Sequence, residues 1–215
     1  MYIPPHFHAG DRGELVELMR RHAFATVVTV GSDGVPFANH LPLLVSGAAD
    51  GRLVLLGHMA RANPQWKHFD RDALVVFHGS HAYVSPSLYE HGAPDARVPT
   101  WNYAAVHAYG RPRVLDDGAT ARVLEQLVEE NEAGREPRWT ADMRAPARQA
   151  MLRAIVGFAV EVERLEGKLK LSQNRAPADR RRVQVAFAEG TPDERALAGL
   201  MKGPQPSADI PEKIP

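Results

Sequence analysis

Apolar positions along the chain fall into short runs whose period changes several times. Behind Asp11-Arg-Gly-Glu14, which has capping-box spacing, Leu15, Leu18, Met19 and His22 recur at helical intervals and predict a first short helix. Phe24 to Val30 is β-branched and apolar, Gly31-Ser-Asp-Gly34 is a turn, and Val35 to Val45 resumes an apolar run, so a hairpin is expected. Pro36 and Pro42 cannot donate to a ladder, which sends that second strand to an edge or breaks it. Arg52 to His58 and Ala73 to His78 read as further strands, with Asn63-Pro64 starting a helix between them. Gly79 to Arg97 lacks periodicity and reads as a loop with one short strand near Ala82 to Val84. Val98 to Leu115 predicts a long bent strand, interrupted at Gly110 and Pro112.

Beyond it, Thr120 to Ala133 carries Val123, Leu124, Leu127 and Val128 on one helical face, and Pro146 to Ile155 predicts a second helix. Phe158, Val160 and Val162 alternate with Ala159, Glu161 and Glu163 as a half-exposed strand. Pro177 to Ala188 and Thr191 to Met201 predict two terminal helices. Short connections between most strands require antiparallel pairing. The fold class expected is therefore mainly β with peripheral α-helices, closed as a barrel. Doubly wound nucleotide folds are disfavoured, since strands and helices do not alternate and neither a G-x-G-x-x-G nor a P-loop string occurs.

Composition narrows the classes. The 215 residues hold 26 Lys plus Arg against 26 Asp plus Glu, giving zero formal net charge, which opposes a general polyanion binder. Arg180-Arg-Arg182 followed by a break at Glu189-Gly190 suggests a helix-turn-helix, yet contiguous residues on a helix point to different faces, and a solvated helix is the plainer reading. Cys is absent, which removes disulfides, thiolate zinc and thiol nucleophiles and agrees with a reducing compartment. No apolar run approaches the roughly 20 residues of a membrane span and the start lacks a signal-peptide pattern, so a cytoplasmic location without membrane is expected. The ten His lack an H-E-x-x-H string or a carboxylate companion on a shared face, so no metal site is assigned. No G-x-S-x-G elbow surrounds Ser85, Ser87 or Ser172, and no catalytic residue is assigned.

Four segments carry more polar and aromatic side chains than strands need. Asn39-His-Leu-Pro-Leu43 interrupts an apolar strand. Gly57-His-Met-Ala-Arg-Ala-Asn-Pro-Gln-Trp66 ends a strand and begins a helix, where free backbone N–H groups beside Arg61 suit a phosphate; alternatively Asn63 is only a cap and Arg61 is solvated. Val98-Pro-Thr-Trp-Asn-Tyr103 gathers Thr100, Trp101, Asn102 and Tyr103, fit for a flat heteroaromatic ligand or for a core cluster. In Glu166-Gly-Lys-Leu-Lys-Leu-Ser-Gln-Asn-Arg175, Lys168, Lys170 and Arg175 bracket Ser172, Gln173 and Asn174, as an anion site or as a basic strand exit.

In this order the segments resemble the PaiB family of FMN-binding split-barrel proteins, often named negative transcriptional regulators or protease synthase and sporulation regulators. The matching strings are Met1-Tyr-x-Pro with Phe7, His40-Leu-Pro-Leu, Gly57 to Trp66, His81-Ala-Tyr-Val-Ser-Pro-Ser87, Val98 to His107 and Lys170-Leu-Ser-Gln-Asn-Arg175. Ser80, Leu88, Leu169 and Glu90-His91 depart from the family pattern. The resemblance runs from Met1 to about Val185 and implies an antiparallel FMN-binding split β-barrel. With the elements read from the residues, the barrel domain covers 1–175 with a helical insertion at about 118–155, followed by C-terminal helices at 176–202 and a Pro-rich flexible tail at 203–215. The resemblance further implies a homodimer holding FMN, with His40, His58, Arg61, Asn63, Thr100, Trp101, Asn102, Lys168, Ser172, Gln173 and Asn174 as cofactor-binding candidates. A flavin-sensing negative regulator acting indirectly, with direct DNA binding doubtful, is the function implied. An FMN-dependent oxidoreductase, such as a flavin reductase or a pyridoxamine-oxidase-like enzyme with NAD(P)H as a second partner, is the alternative.

Overall fold

A computed structural model describes residues 1–47, 51–92, 97–140, 142 and 145–202, with the side chains of residues 146 and 147 left aside. The tail expected at 203–215 lies outside the described residues. The strands are β1 (His8–Ala9), β2 (Phe24–Val30), β3 (Pro36–Pro42), β4 (Leu44–Gly47), β5 (Leu53–Ala60), β6 (Ala73–Val84), β7 (Thr100–Val114) and β8 (Ile155–Lys170). The helices are α1 (Arg12–Arg21), α2 (Asp117–Glu132), α3 (Pro146–Leu152), α4 (Pro177–Ala188) and α5 (Pro192–Leu200). One eight-stranded sheet follows the order β3-β2-β6-β7-β8-β5-β4, with β1 paired to β8. All registered pairs are antiparallel, as with Thr26 opposite His40 and His58 opposite Gly157. The fold is mainly β with peripheral helices, as the periodicity predicts.

β3, which begins at Pro36 and ends at Pro42, takes one edge of the sheet as its prolines predict, and β4 takes the other. β3 and β4 terminate the sheet order, and the chain breaks between them at Leu43, whose N–H donates to the Ala23 carbonyl at 2.9 Å. One sequence expectation is corrected: β6 does not stop at His78 but runs on to Val84. The glycine at 79 that reads as punctuation has a packing reason, since a Cβ there would come within 2.9 Å of the Ala104 Cβ. The late strand is also longer than its alternation suggests and spans Ile155–Lys170.

The chain divides into two compact units. Among the described residues, the first comprises those within 1–10, 79–105 and 167–202, the second those within 11–78 and 106–166. In the first unit α4 and α5 supply Val183, Phe187, Leu197 and Met201 to a core shared with Ala82, Val84, Tyr89 and Leu171. Helix α5 begins in the full capping box expected of Thr191 and Glu194. In the second unit Val27, Leu43, Leu55, Val75, Phe77 and Phe158 are fully or nearly fully buried, with Leu15, Leu18 and Met19 of α1 among the core residues. Val123 and Leu127 of α2 pack with Leu44, Leu56 and Leu115. Gly157 lets α2 approach β8, because a Cβ there would lie 2.3 Å from the Thr120 hydroxyl oxygen.

Candidate functional site

In the first unit, alternation along the start of β7 separates two sets of side chains. Trp101 points out and remains about half exposed (52%), while Asn102 is completely buried. The Trp101 indole meets the His81 ring at 6.1 Å and the Tyr83 ring, edge on, at 6.0 Å. His81 and Tyr83 lie two residues apart on β6 and therefore share a face, a spacing of two that was legible once β6 is taken past Gly79.

The other set meets the end of β8. The Lys170 ammonium donates to the Thr100 hydroxyl. Asn102 Nδ2 donates to Ser172 Oγ at 3.0 Å, and that hydroxyl is placed to return its proton to Asn102 Oδ1 at 3.1 Å. Ser172 sits at φ 63°, in the left-handed region, so a buried side-chain pair fixes a backbone that a non-glycine residue seldom adopts. Gln173 folds back on its own strand end, accepting from the Leu171 N–H at 2.6 Å and donating to the Leu169 carbonyl at 2.5 Å. Asn174 is exposed.

Three cations converge there. Burial lowers the Lys170 pKa, and repulsion from Lys168 and Arg175 lowers it further. Lys168 is itself buried, donates to the Tyr2 carbonyl at 3.0 Å and lies 5.3 Å from the Tyr103 ring centre. Arg175 covers the Tyr89 ring at 4.5 Å. An anion against Lys170 would relieve this crowding.

The remaining candidates belong to the second unit. His40 of β3 pairs through Nδ1 with the Thr26 hydroxyl at 3.0 Å. Asn63 caps the short 3-10 helix Pro64–His68 by accepting from the Gln65 N–H. Buried Gln65 ties that turn to β2 and β3, donating to the Val27 and Phe37 carbonyls and accepting from Asn39 Nδ2. Arg61 is not simply solvated: Nε donates to the Arg153 carbonyl at 2.8 Å and Nη2 to the Ile155 carbonyl at 2.7 Å. His58 projects toward the α2 and α3 segment, where burial lowers its pKa and leaves the ring neutral near pH 7. Among the described residues no cluster of three or more His, Asp or Glu side chains is placed to hold a metal, and no helix is long and apolar enough to cross a membrane.

Residues 1–164 match the family described as "Putative FMN-binding domain". The chain is 37% identical over 206 residues to Protease synthase and sporulation protein PAI 2 of Bacillus subtilis, covering 94% of this chain and 97% of that protein. Among solved structures it resembles the FAD and heme binding protein from Mycobacterium smegmatis, with a TM-score of 0.59 at 19% identity over 97% of this chain and 92% of that one. It also resembles the flavocytochrome Anf3 from Azotobacter vinelandii, with a TM-score of 0.58 at 16% identity over 76% and 69%. At these identities the two structures establish the shared fold.

Proposed function

Because this chain belongs to the FMN-binding domain family matched over 1–164, we propose that it binds FMN and that the first unit supplies the phosphate and ring contacts. The observation that carries this reading is the crowding of Lys170 by Lys168 and Arg175 at the end of β8, against Thr100, with the half-exposed Trp101 next along β7. A flavin phosphate needs positive charge and directed donors; Lys170, Arg175 and the Thr100 hydroxyl supply both. A flavin ring needs a flat apolar surface with polar edges, and the Trp101 indole with His81 and Tyr83 supplies it. The Asn102–Ser172 pair holds the turn that carries Asn174 toward the same end of β8. Bound FMN would supply the redox chemistry, while these side chains bind and orient it.

Titration of flavin-free protein with FMN and with riboflavin, followed by flavin fluorescence, tests the reading. Lys170→Met should weaken FMN about tenfold or more while changing riboflavin little; equal loss of both removes Lys170 from the phosphate. Wild-type protein that binds no FMN refutes the whole reading. The same titration on Arg61→Ala asks whether the turn before Asn63 also senses the phosphate.

The resemblance to proteins named negative transcriptional regulators favours a regulatory role, which this reading takes to be indirect and exerted by a homodimer responding to flavin state; the Bacillus relative's name ties that protein to protease synthase and sporulation. Bleaching of bound FMN by NADPH at a catalytic rate would favour the oxidoreductase reading instead.

A further inference from the structure

The second unit contains a cavity of about 540 Å³ between the end of β5, α2 and α3. That volume lies within the roughly 300 to 1,000 Å³ of small-molecule sites. Leu124, Trp139, Met151, Leu152 and Ile155 make most of its wall, and no Asp or Glu is among the described residues that line it. Two polar groups break the apolar lining. Arg148 Nη1 and His58 Nδ1 are both buried and make no hydrogen bond among the described residues. The Arg148 guanidinium lies 4.9 Å from the centre of the Trp139 ring.

Such a pair is costly to leave unmet, since an unsatisfied buried donor loses about 1 to 3 kcal/mol and more when charged. Arg can only donate, so the missing partner must accept. Water fits poorly as that partner, because a bound water needs two to four polar contacts and these walls are apolar. The combination of one cation, one neutral imidazole and an apolar wall matches a ligand with a compact anionic head and an apolar body.

We propose that this cavity binds a small organic carboxylate with an aromatic or branched apolar body, its carboxylate meeting Arg148 and its body lying against Trp139, Leu152 and Ile155. The His58 ring completes the head-group site as a hydrogen-bond donor through Nδ1. The proposal is separable from FMN binding, since Arg148, Trp139 and Leu152 are not among the flavin candidates; His58 alone is shared with them.

Isothermal titration of the full chain, saturated with FMN, with indole-3-acetate and with indole-3-acetamide tests it. The acid should bind at least tenfold more tightly than the neutral amide. Arg148→Met should bring the acid to the level of the amide, leaving FMN affinity unchanged and the ligand-free thermal midpoint no lower than that of the wild type. Leu152→Trp, which fills the cavity, should abolish binding of both. Equal binding of acid and amide, or no binding of either to the wild type, overturns the proposal without touching the flavin reading. Displacement of the acid by excess FMN would assign the cavity to flavin and also overturn it. If Met151→Glu converts a dimer to a monomer in sedimentation, a second copy covers the cavity and the proposal fails.

Discussion

Asn102 and Ser172 show how a polar pair can be more demanding than an apolar one. Asn102 is fully buried and Ser172 nearly so, each satisfying the other while Ser172 holds φ at 63°. Asn102→Ala leaves the Ser172 hydroxyl buried without its partner and should cost about 1 to 3 kcal/mol in urea unfolding. Ser172→Gly removes the φ penalty but strands the Asn102 amide, so it should also destabilise; a net gain would show that backbone strain outweighs the hydrogen bonds there. A second residue-scale effect concerns pH. Burial alone would raise the Asp179 carboxyl, but the backbone N–H groups of Glu90 and His91 and the His91 ring outweigh it and hold the pKa below its ordinary 3.8. A depressed folded pKa means that stabilisation is complete above 3.8 and is lost as pH falls through the folded value. Asp179→Asn keeps an acceptor oxygen without the charge, so its urea midpoint should be lower than wild type at pH 7 and the gap should close below pH 3.8.

At the scale of elements, close approach of strands decides which glycines matter. A Cβ at Gly110 of β7 would sit 1.9 Å from the Glu161 carbonyl oxygen of β8, and backbone of a paired strand has little room to yield. At Gly57 the first obstacle is the Leu43 Cδ2 methyl at 2.5 Å, the far end of a side chain that can change rotamer, with the Phe158 ring next at 3.0 Å. Gly110→Ala should therefore lose about 3 kcal/mol or more, and Gly57→Ala about 1 to 2, on the scale of overpacked cores; chemical denaturation of both variants checks the order. These cases also mark what was legible in the sequence. Period-two runs located β2, β5 and the first half of β6, and prolines at positions 36 and 42 placed β3 at an edge. The second half of β6 was hidden because Gly79-Ser-His has loop chemistry, while its reason, a close neighbour at Ala104, lies 25 residues away. The destination of the Arg61 guanidinium was hidden likewise, since its acceptors are backbone carbonyls some 92 and 94 residues later, which carry no side-chain signature. Arg148 and His58 were invisible as a pair because an empty volume between two elements leaves no spacing rule in either.

For the whole molecule, charge sets what regulation can mean. Twenty-six cationic side chains balance twenty-six anionic ones, so no net attraction to a polyanion operates at long range. The run of three adjacent arginines, Arg180 to Arg182, is largely engaged within the first unit. Arg180 donates to the Leu171 and Met201 carbonyls, and Arg182 donates to the Leu88 carbonyl and pairs with Glu90. Only Arg181 of the three is left by these contacts to face outward, and a single phosphate contact supports a shallow salt dependence of about one power of salt concentration. A 30-base-pair duplex in fluorescence anisotropy at about 150 mM salt should thus bind no more tightly than the roughly 10⁻⁴ to 10⁻⁶ M of non-specific association, with or without added FMN. Sequence-selective binding in the nanomolar range with a steep salt slope would refute the indirect reading and require a basic surface that these contacts do not provide. Arg181→Ala sharpens the test: it should leave the weak binding nearly unchanged, whereas a large loss would locate a genuine DNA face on α4.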